Sequence, residues 1–147
     1  MAPQTTTAVD DEMIDEEDAT YSVDVKAFEA SGKSFVYAVY TRMSDRGMAQ
    51  VGGTTTELPK PFGTANEYMK VISSVCAREP DYLLPGTPIS EAVFRLLLAN
   101  NNRPMSLLDI QSGLASAWAS VIYLKNLSDD VVQRMLDQPN EYFIRRL

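Results

Sequence analysis

The fold of this chain is decided by residues 87 to 147, TPISEAVFRLLLANNNRPMSLLDIQSGLASAWASVIYLKNLSDDVVQRMLDQPNEYFIRRL. Thr87-Pro88 is a helix-start signal, because a hydroxyl that can cap precedes a proline at the first helical position. An apolar stripe at helical spacing follows and predicts a mostly buried helix; it comprises Ile89, Val93, Phe94, Leu96, Leu97 and Leu98. Asn100 to Asn102 should end this helix, since asparagine tolerates the left-handed conformation.

A second helix is predicted from Ser106, which has Asp109 three residues on as in a capping box. Its apolar positions fall on one face, which predicts a core position for Trp118; they are Ile110, Leu114, Ala117, Trp118 and Val121. Gly113 weakens this helix by about 1 kcal/mol relative to alanine, a cost that suits a close crossing by another helix.

A third, shorter helix is predicted from Ser128 to Gln138. Ser128 is its expected cap, and Asp129 and Asp130 in the first turn complement the helix dipole. Pro139 closes it, and the aromatic and β-branched residues at 142–144 favour a short terminal strand.

This order of helix, short link, helix, short helix and strand resembles the winged helix-turn-helix domains over residues 87–147, and more loosely their HARE-type subgroup. The second wing strand has no counterpart here. The predicted fold is mainly α: a helical domain, 64–147, with a C-terminal winged-helix-like half and a short terminal strand. The resemblance implies that the third helix would read the major groove of DNA.

The acidic residues are concentrated at the start of the chain. The sequence has 20 acidic and 13 basic residues and a net charge of −7. Residues 1–20 hold seven acids and no base, so residues 21–147 have 13 of each and are neutral. We expect 1–20 to be a disordered acidic tail. It is either a solvated tail, or a polyanion that competes with nucleic acid or docks on a basic partner.

An N-terminal helix is predicted within residues 21–46, either continuous through Gly32 or broken there into two. Its aromatic residues are a candidate partner face, with core packing as the favoured alternative; they are Phe28, Phe35, Tyr37 and Tyr40. Residues 47–63 are rich in glycine and proline and predict a long linker, mobile or draped over the surface, which Leu58 and Phe62 could pin. Thr64 with Glu67 is a capping box that opens the next helix.

The composition argues against catalysis. There is no histidine, so the usual general base and the usual metal ligand are both missing. Gly32-Lys33-Ser34 matches the last three residues of a phosphate-binding loop. That motif also needs a glycine five positions before Gly32, where this chain has Ala27. We therefore predict no catalytic, cofactor-binding or metal-binding residues.

The single cysteine, Cys76, is expected to be a buried small hydrophobe and suits a cytoplasmic location. No apolar run reaches membrane-spanning length, so no membrane partner is predicted.

Nucleic-acid binding is suggested by the resemblance but disfavoured by charge. Gln133 and Arg134 could read bases, and Arg145 and Arg146 could contact phosphates. However, residues 86–147 contain six bases and six acids, and a neutral module gains little from counterion release. The predicted function is therefore a non-catalytic protein-interaction subunit or adaptor of a larger cytoplasmic assembly. The alternative is a transcription-associated DNA-binding regulator of the winged-helix type.

Overall fold

A computed structural model describes residues 19–118 and 129–147, without the side chains of 129–131. Over these ranges the chain is mainly helical and has one small antiparallel sheet. The strands are β1 (Thr20–Val23), β2 (Met105–Ser106) and β3 (Ile144–Arg146). The helices are α1 (Val25–Ala30), α2 (Phe35–Thr41), α3 (Asp45–Gln50), α4 (Ala65–Ser74), α5 (Ile89–Ala99), α6 (Leu107–Ala117) and α7 (Asp129–Asp137), with a short 3₁₀ turn at Cys76–Arg78.

Of the two alternatives predicted for the helix within residues 21–46, the continuous helix is wrong and the break at Gly32 is confirmed. The segment forms β1 and three short helices. Gly32 adopts a φ of +93°, which turns the chain between α1 and α2. Each helix has its own N-cap: the side chains of Asp24, Ser34 and Ser44 accept hydrogen bonds from the backbone N–H three residues on. The helix α3 also extends into the predicted linker, so the irregular connection begins at Val51.

The connection before α4 is pinned by aromatic side chains. The Phe62 ring lies 5.7 Å from Tyr40 and 5.3 Å from Tyr68, measured between centroids. The Tyr40 hydroxyl donates to the Thr54 carbonyl at 2.8 Å, and the Gly63 N–H donates to the Tyr68 hydroxyl at 2.6 Å. Phe62 therefore holds the segment as predicted, whereas Leu58 remains 43% exposed.

Several local sequence signals are confirmed. The Thr64 hydroxyl accepts from the Glu67 N–H at 3.2 Å, and the Ser106 hydroxyl accepts from the Asp109 N–H at 3.0 Å. A Cβ added to Gly113 would lie 2.9 Å from the side chain of Leu96, so α5 does cross α6 closely at this glycine. Cys76 is fully buried, as predicted.

The predictions for the start of α5 and for the start of the terminal strand are wrong in detail. The Thr87 hydroxyl donates to the Leu84 carbonyl at 2.6 Å and does not cap α5, which begins after Pro88. The predicted strand at 142–144 starts later, at Ile144, because Phe143 takes a φ of +56° that breaks extended structure. The proposed cap Ser128 lies outside the described residues.

The sheet has the order β2-β1-β3, with both pairings antiparallel. Its central strand, β1, comes from the N-terminal end of the described chain and was not predicted. Tyr21 and Val23 on this strand are buried, and so is the preceding Ala19. Ala19 and Thr20, which the predicted disordered tail of residues 1–20 included, therefore belong to the folded part, and residues 1–18 lie outside the described residues.

Two asparagine side chains replace missing strand partners in this sheet. The Asn102 carbonyl accepts from the Val23 N–H at 2.8 Å, and its amide donates to the Val23 carbonyl at 3.0 Å. Asn140 makes the same pair of bonds to the backbone of Ile144, both at 3.0 Å. Asn101 and Asn102 have φ of +58° and +54°, so the left-handed end of α5 presents this amide to β1.

Replacing Asn102 with aspartate should destabilise the protein by about 2 kcal/mol. The substitution keeps the size and the tolerance for positive φ, but it removes the donor to the Val23 carbonyl and sets a carboxylate against it. Urea unfolding followed by the fluorescence of Trp118 measures the change. Asn101→Asp is the matched control and should shift the free energy of unfolding by less than about 0.5 kcal/mol. Equal shifts for the two variants would refute the role assigned to Asn102.

Candidate interaction surfaces

The four aromatic residues considered as a partner face do not form one. Phe28, Phe35 and Tyr40 are 4%, 2% and 2% exposed, whereas Tyr37 is 51% exposed. Phe28 packs edge-on against Phe35 with the centroids 5.6 Å apart, and stacks on Phe94 of α5 at 6.2 Å. Because α1 and α2 are separate helices, both turn their aromatic sides inward onto the rest of the core.

Tyr37 lies beside an open groove of about 340 Å³ between α2 and the turn that precedes β3. The groove is lined by Phe28, Lys33, Ser34, Tyr37, Ala38, Thr41, Arg42, Glu141 and Tyr142. The Lys33 ammonium group donates to the Glu141 carbonyl at 3.3 Å and lies 5.8 Å from the centre of the Phe28 ring. The groove therefore mixes aromatic and hydroxyl surface with two cations, Lys33 and Arg42, and one anion, Glu141.

A charged network centred on Glu91 adjoins this groove through Arg42 and Tyr142. Its carboxylate is only 14% exposed and accepts two hydrogen bonds from Arg42, at 2.9 and 3.1 Å. Arg95 donates to the same carboxylate at 2.8 Å, and so does the Tyr142 hydroxyl, also at 2.8 Å. Arg42 also lies over the Phe94 ring, 4.9 Å from its centre. The network joins the end of α2, the first turn of α5 and the turn before β3.

The pKa values in the network follow from these contacts. Burial by itself would raise the pKa of Glu91, but the hydrogen bonds from Arg42, Tyr142 and Arg95 outweigh burial and lower it. Burial and the hydrogen bond to Glu91 both raise the pKa of the Tyr142 phenol. Glu91 is thus held in its charged form, and both of its carboxylate oxygens accept hydrogen bonds. This arrangement suits a structural role and not proton transfer.

The four candidate nucleic-acid contacts do not form one basic surface. Arg145 and Arg146 both line a pocket of about 300 Å³ at the end of α7, which Asp137 also lines, whereas Gln133 and Arg134 lie outside it. Arg134 is exposed on α7 and Gln133 beside it is partly buried. On β3, Arg145 is the partner of Ser22 and forms an ion pair with Asp24 at 3.3 Å. Arg146 is the partner of the buried Tyr21, on the opposite face of the sheet, because neighbouring strand residues point to opposite sides.

Acidic groups further reduce the positive charge around α7. Asp137 is exposed, lies three residues after Arg134 on the same helix, and accepts a hydrogen bond from the Tyr21 hydroxyl at 3.3 Å. Residues three apart on a helix are neighbours on its surface. The carboxylate therefore lowers the potential that Arg134 presents to a phosphate.

Two further properties concern only the described residues. In the ranges 19–118 and 129–147, no three cysteine, aspartate or glutamate side chains converge as a metal site. No helix within the same ranges is both long and apolar enough to cross a bilayer.

No protein-family model, no curated protein and no solved structure matches this chain. What the protein does is therefore inferred from its own surfaces and charges.

Proposed function

We propose that this protein is a non-catalytic interaction subunit or adaptor of a larger cytoplasmic assembly. In this proposal residues 87–147 form a winged-helix-like module, and the acidic arm, residues 1–18, contributes to binding a protein partner. The observation that supports it best is that acids offset these arginines. Arg145 is paired with Asp24, and Asp137 lines the pocket that Arg145 and Arg146 share, which Arg134 does not line.

The electrostatic reason is direct. Affinity for DNA depends mainly on neutralising several phosphates at once, so a DNA-binding face needs several free cations side by side. Here Arg145 is already paired with Asp24 at 3.3 Å. Arg146 lies on the other face of β3, and Arg134 has Asp137 as its neighbour on α7. Because α7 contains three aspartates and one arginine, a phosphate backbone laid along it would meet more carboxylates than guanidinium groups.

The arm favours a protein partner for the same reason. Its seven acids attract basic surfaces over a distance of about 8–10 Å at physiological salt. A segment of this composition, with few large apolar side chains, is typical of chains that become ordered on binding. A basic protein surface would gain from such an arm, whereas DNA would be repelled by it.

The alternative function is a DNA-binding transcription regulator of the winged-helix type. It is favoured by the element order, in which α7 takes the place of the recognition helix and β3 follows it. The RNA polymerase delta subunit, in which the HARE-type subgroup is found, also combines a winged helix with an acidic tail. In this protein the acidic tail is at the opposite end of the chain.

A titration with fluorescent mixed-sequence duplex DNA distinguishes the two functions. We expect no binding tighter than about 10⁻⁴ M near physiological salt, for the full chain and for a chain that starts at Ala19. The shorter chain starts there because Ala19 is buried and Thr20 belongs to β1. Fluorescence anisotropy is the measurement.

Submicromolar binding by the shorter chain, lost in Arg134→Ala or in Arg145→Ala with Arg146→Ala, would establish the DNA-binding alternative. Arg103→Ala is the control, because Arg103 is an exposed cation after α5 that bonds the Asn100 carbonyl and belongs to neither α7 nor β3. Affinity capture of the full chain from native lysate, compared with the chain that starts at Ala19, would identify partners that depend on the arm.

A further inference from the structure

The strand β3 has a free edge on the side away from β1. The sheet order is β2-β1-β3, so no other strand of residues 19–118 and 129–147 pairs with that side. On the inner side, the Leu147 N–H donates to the Thr20 carbonyl at 2.8 Å. Successive residues of an antiparallel strand direct their backbone groups to opposite sides, so those of Ile144 and Arg146 point away from β1.

Part of this edge is already closed by a side chain. Asn140 accepts from the Ile144 N–H and donates to the Ile144 carbonyl, both at 3.0 Å, and so takes the place of a fourth strand there. The N–H and the carbonyl of Arg146 have no such partner within the described part of the chain. A pair of open backbone groups on an edge strand is where an extended peptide can add to a sheet.

A pocket lies beside the open end of this edge. Its volume is about 300 Å³, and Pro139, Asn140 and Arg146 are among its lining residues. Asp137 also lines it and accepts from the hydroxyl of Tyr21, which is the strand partner of Arg146. The pocket is therefore on the face of the sheet that Tyr21 and Arg146 share. Alternate residues of a strand point to one face, so every second side chain of an added strand would lie on this side.

The charge at the open end of the edge favours an acidic segment. Arg145 is paired with Asp24 at 3.3 Å, whereas no carboxylate of the described residues forms an ion pair with Arg146. An acidic residue directly opposite Arg146 on an added strand would form a favourable cross-strand pair. A second copy of the chain, paired through the same edge, would instead bring its own Arg146 alongside this one, and like charges on neighbouring strands repel.

We propose that the outer edge of β3 is a docking site for an extended, acidic peptide segment of a partner protein, which adds as an antiparallel strand. The segment exchanges two backbone hydrogen bonds with Arg146, places a carboxylate beside its guanidinium group, and places an apolar side chain two residues away over the pocket. Asn140 sets the end of the pairing, because it already fills the position opposite Ile144. This inference rests on the proposed function and adds a surface and a partner chemistry to it.

Designed peptides test the backbone pairing without knowledge of the natural partner. The probe is a short fluorescent peptide, acetylated and amidated, in which a central glutamate is flanked on each side by a threonine and then a valine. In an antiparallel pair with Arg146, the glutamate N–H faces β3 and the threonine N–H groups face solvent. We expect a methyl group on the glutamate nitrogen to weaken binding to the full chain at least about tenfold. The matched control, a methyl group on the second threonine nitrogen, should weaken it less than about threefold.

A second pair of measurements tests the charge. Replacing the glutamate of the peptide with glutamine should weaken binding about fivefold, and so should Arg146→Ala in the protein. The two changes made together should cost little more than either alone, because both remove the same ion pair. Arg103→Ala, at an exposed cation outside the sheet, should leave binding unchanged. A further measurement needs no substitution, since the probe should change the amide resonances of residues 139–147.

Four results would overturn the inference. The first is no binding of the probe at about 1 mM. The second is equal binding of the two methylated peptides, which would mean that the backbone of the peptide does not pair with β3. The third is resonance changes confined to other residues. The fourth is self-association of the full chain that changes the resonances of 139–147, which would make a second copy the occupant. Tight DNA binding, by contrast, would refute the proposed function itself, so the two failures are distinguishable.

Discussion

Replacing Trp118 with alanine is expected to lower the free energy of unfolding by about 3–5 kcal/mol, because truncating a buried tryptophan leaves a large cavity. Trp118 is 6% exposed at the end of α6, on the side that also carries the fully buried Ile110 and Leu114. Its indole N–H donates to the Leu83 carbonyl at 3.1 Å. The side chain thus ties α6 to the loop that leads into α5, through both apolar contact and a hydrogen bond.

Urea unfolding followed by circular dichroism measures this change, since the substitution removes the chain's single tryptophan. Trp118→Phe keeps much of the apolar volume and loses the donor to Leu83, so it should cost about 1–2 kcal/mol. Leu108→Ala on the same helix is a control at an exposed position and should change stability by less than about 0.5 kcal/mol. A Trp118→Ala variant as stable as this control would show that the indole lies on the surface.

Glu91→Gln should lower the free energy of unfolding by about 3 kcal/mol at pH 7, nearly as much as Trp118→Ala. The substitution leaves the guanidinium groups of Arg42 and Arg95, whose side chains are 23% and 25% exposed, without their anion. Removing one partner of a largely buried ion pair is costly, because the remaining charge is still desolvated. The surface pair of Arg46 and Glu79 provides the control. Its atoms are 3.9 Å apart and Arg46 is 79% exposed, so Glu79→Gln should have little effect.

The pH dependence gives an independent test of the Glu91 network. The pKa of Glu91 is lowered in the folded protein, so protons bind to the unfolded chain first as the pH falls. The stabilisation is fully present above the usual glutamate pKa of about 4.3 and is lost as the pH falls through the lower folded value. The stability difference between the unmodified chain and Glu91→Gln should therefore be constant from about pH 5 to 7 and shrink in more acidic solution. A difference that does not change with pH would mean that the charge of Glu91 contributes nothing.

The sequence by itself determined the features that depend on residues close together along the chain. The caps at Thr64 and Ser106 were predictable because each hydroxyl bonds a backbone N–H only three residues away. The left-handed turn at Asn101 and Asn102 was predictable from asparagine's tolerance for positive φ. The apolar periodicity of α6 likewise placed Trp118 in the core before any neighbour was known.

The sequence also contained local signals that were missed. Asp24, Ser34 and Ser44 each cap a short helix, and together they divide residues 24–50 into three helices. The apolar and aromatic residues of that region are spaced so that they also fit one longer helix. Periodicity alone therefore left the break at Gly32 undecided and did not reveal the break before α3, whereas the capping residues mark both.

Tertiary structure alone decided the features made by residues far apart in sequence. The position of β1 at the centre of the sheet depends on pairing with residues more than 80 positions away. Glu91 has the sequence context of an ordinary first-turn acid, and only the fold brings Arg42 and Tyr142 to it. The adjacent Arg145 and Arg146 look like one basic patch until the register of β3 assigns them to opposite faces. Local signals fix where helices start and stop, but the contacts that shape the surfaces arise only when distant segments pack.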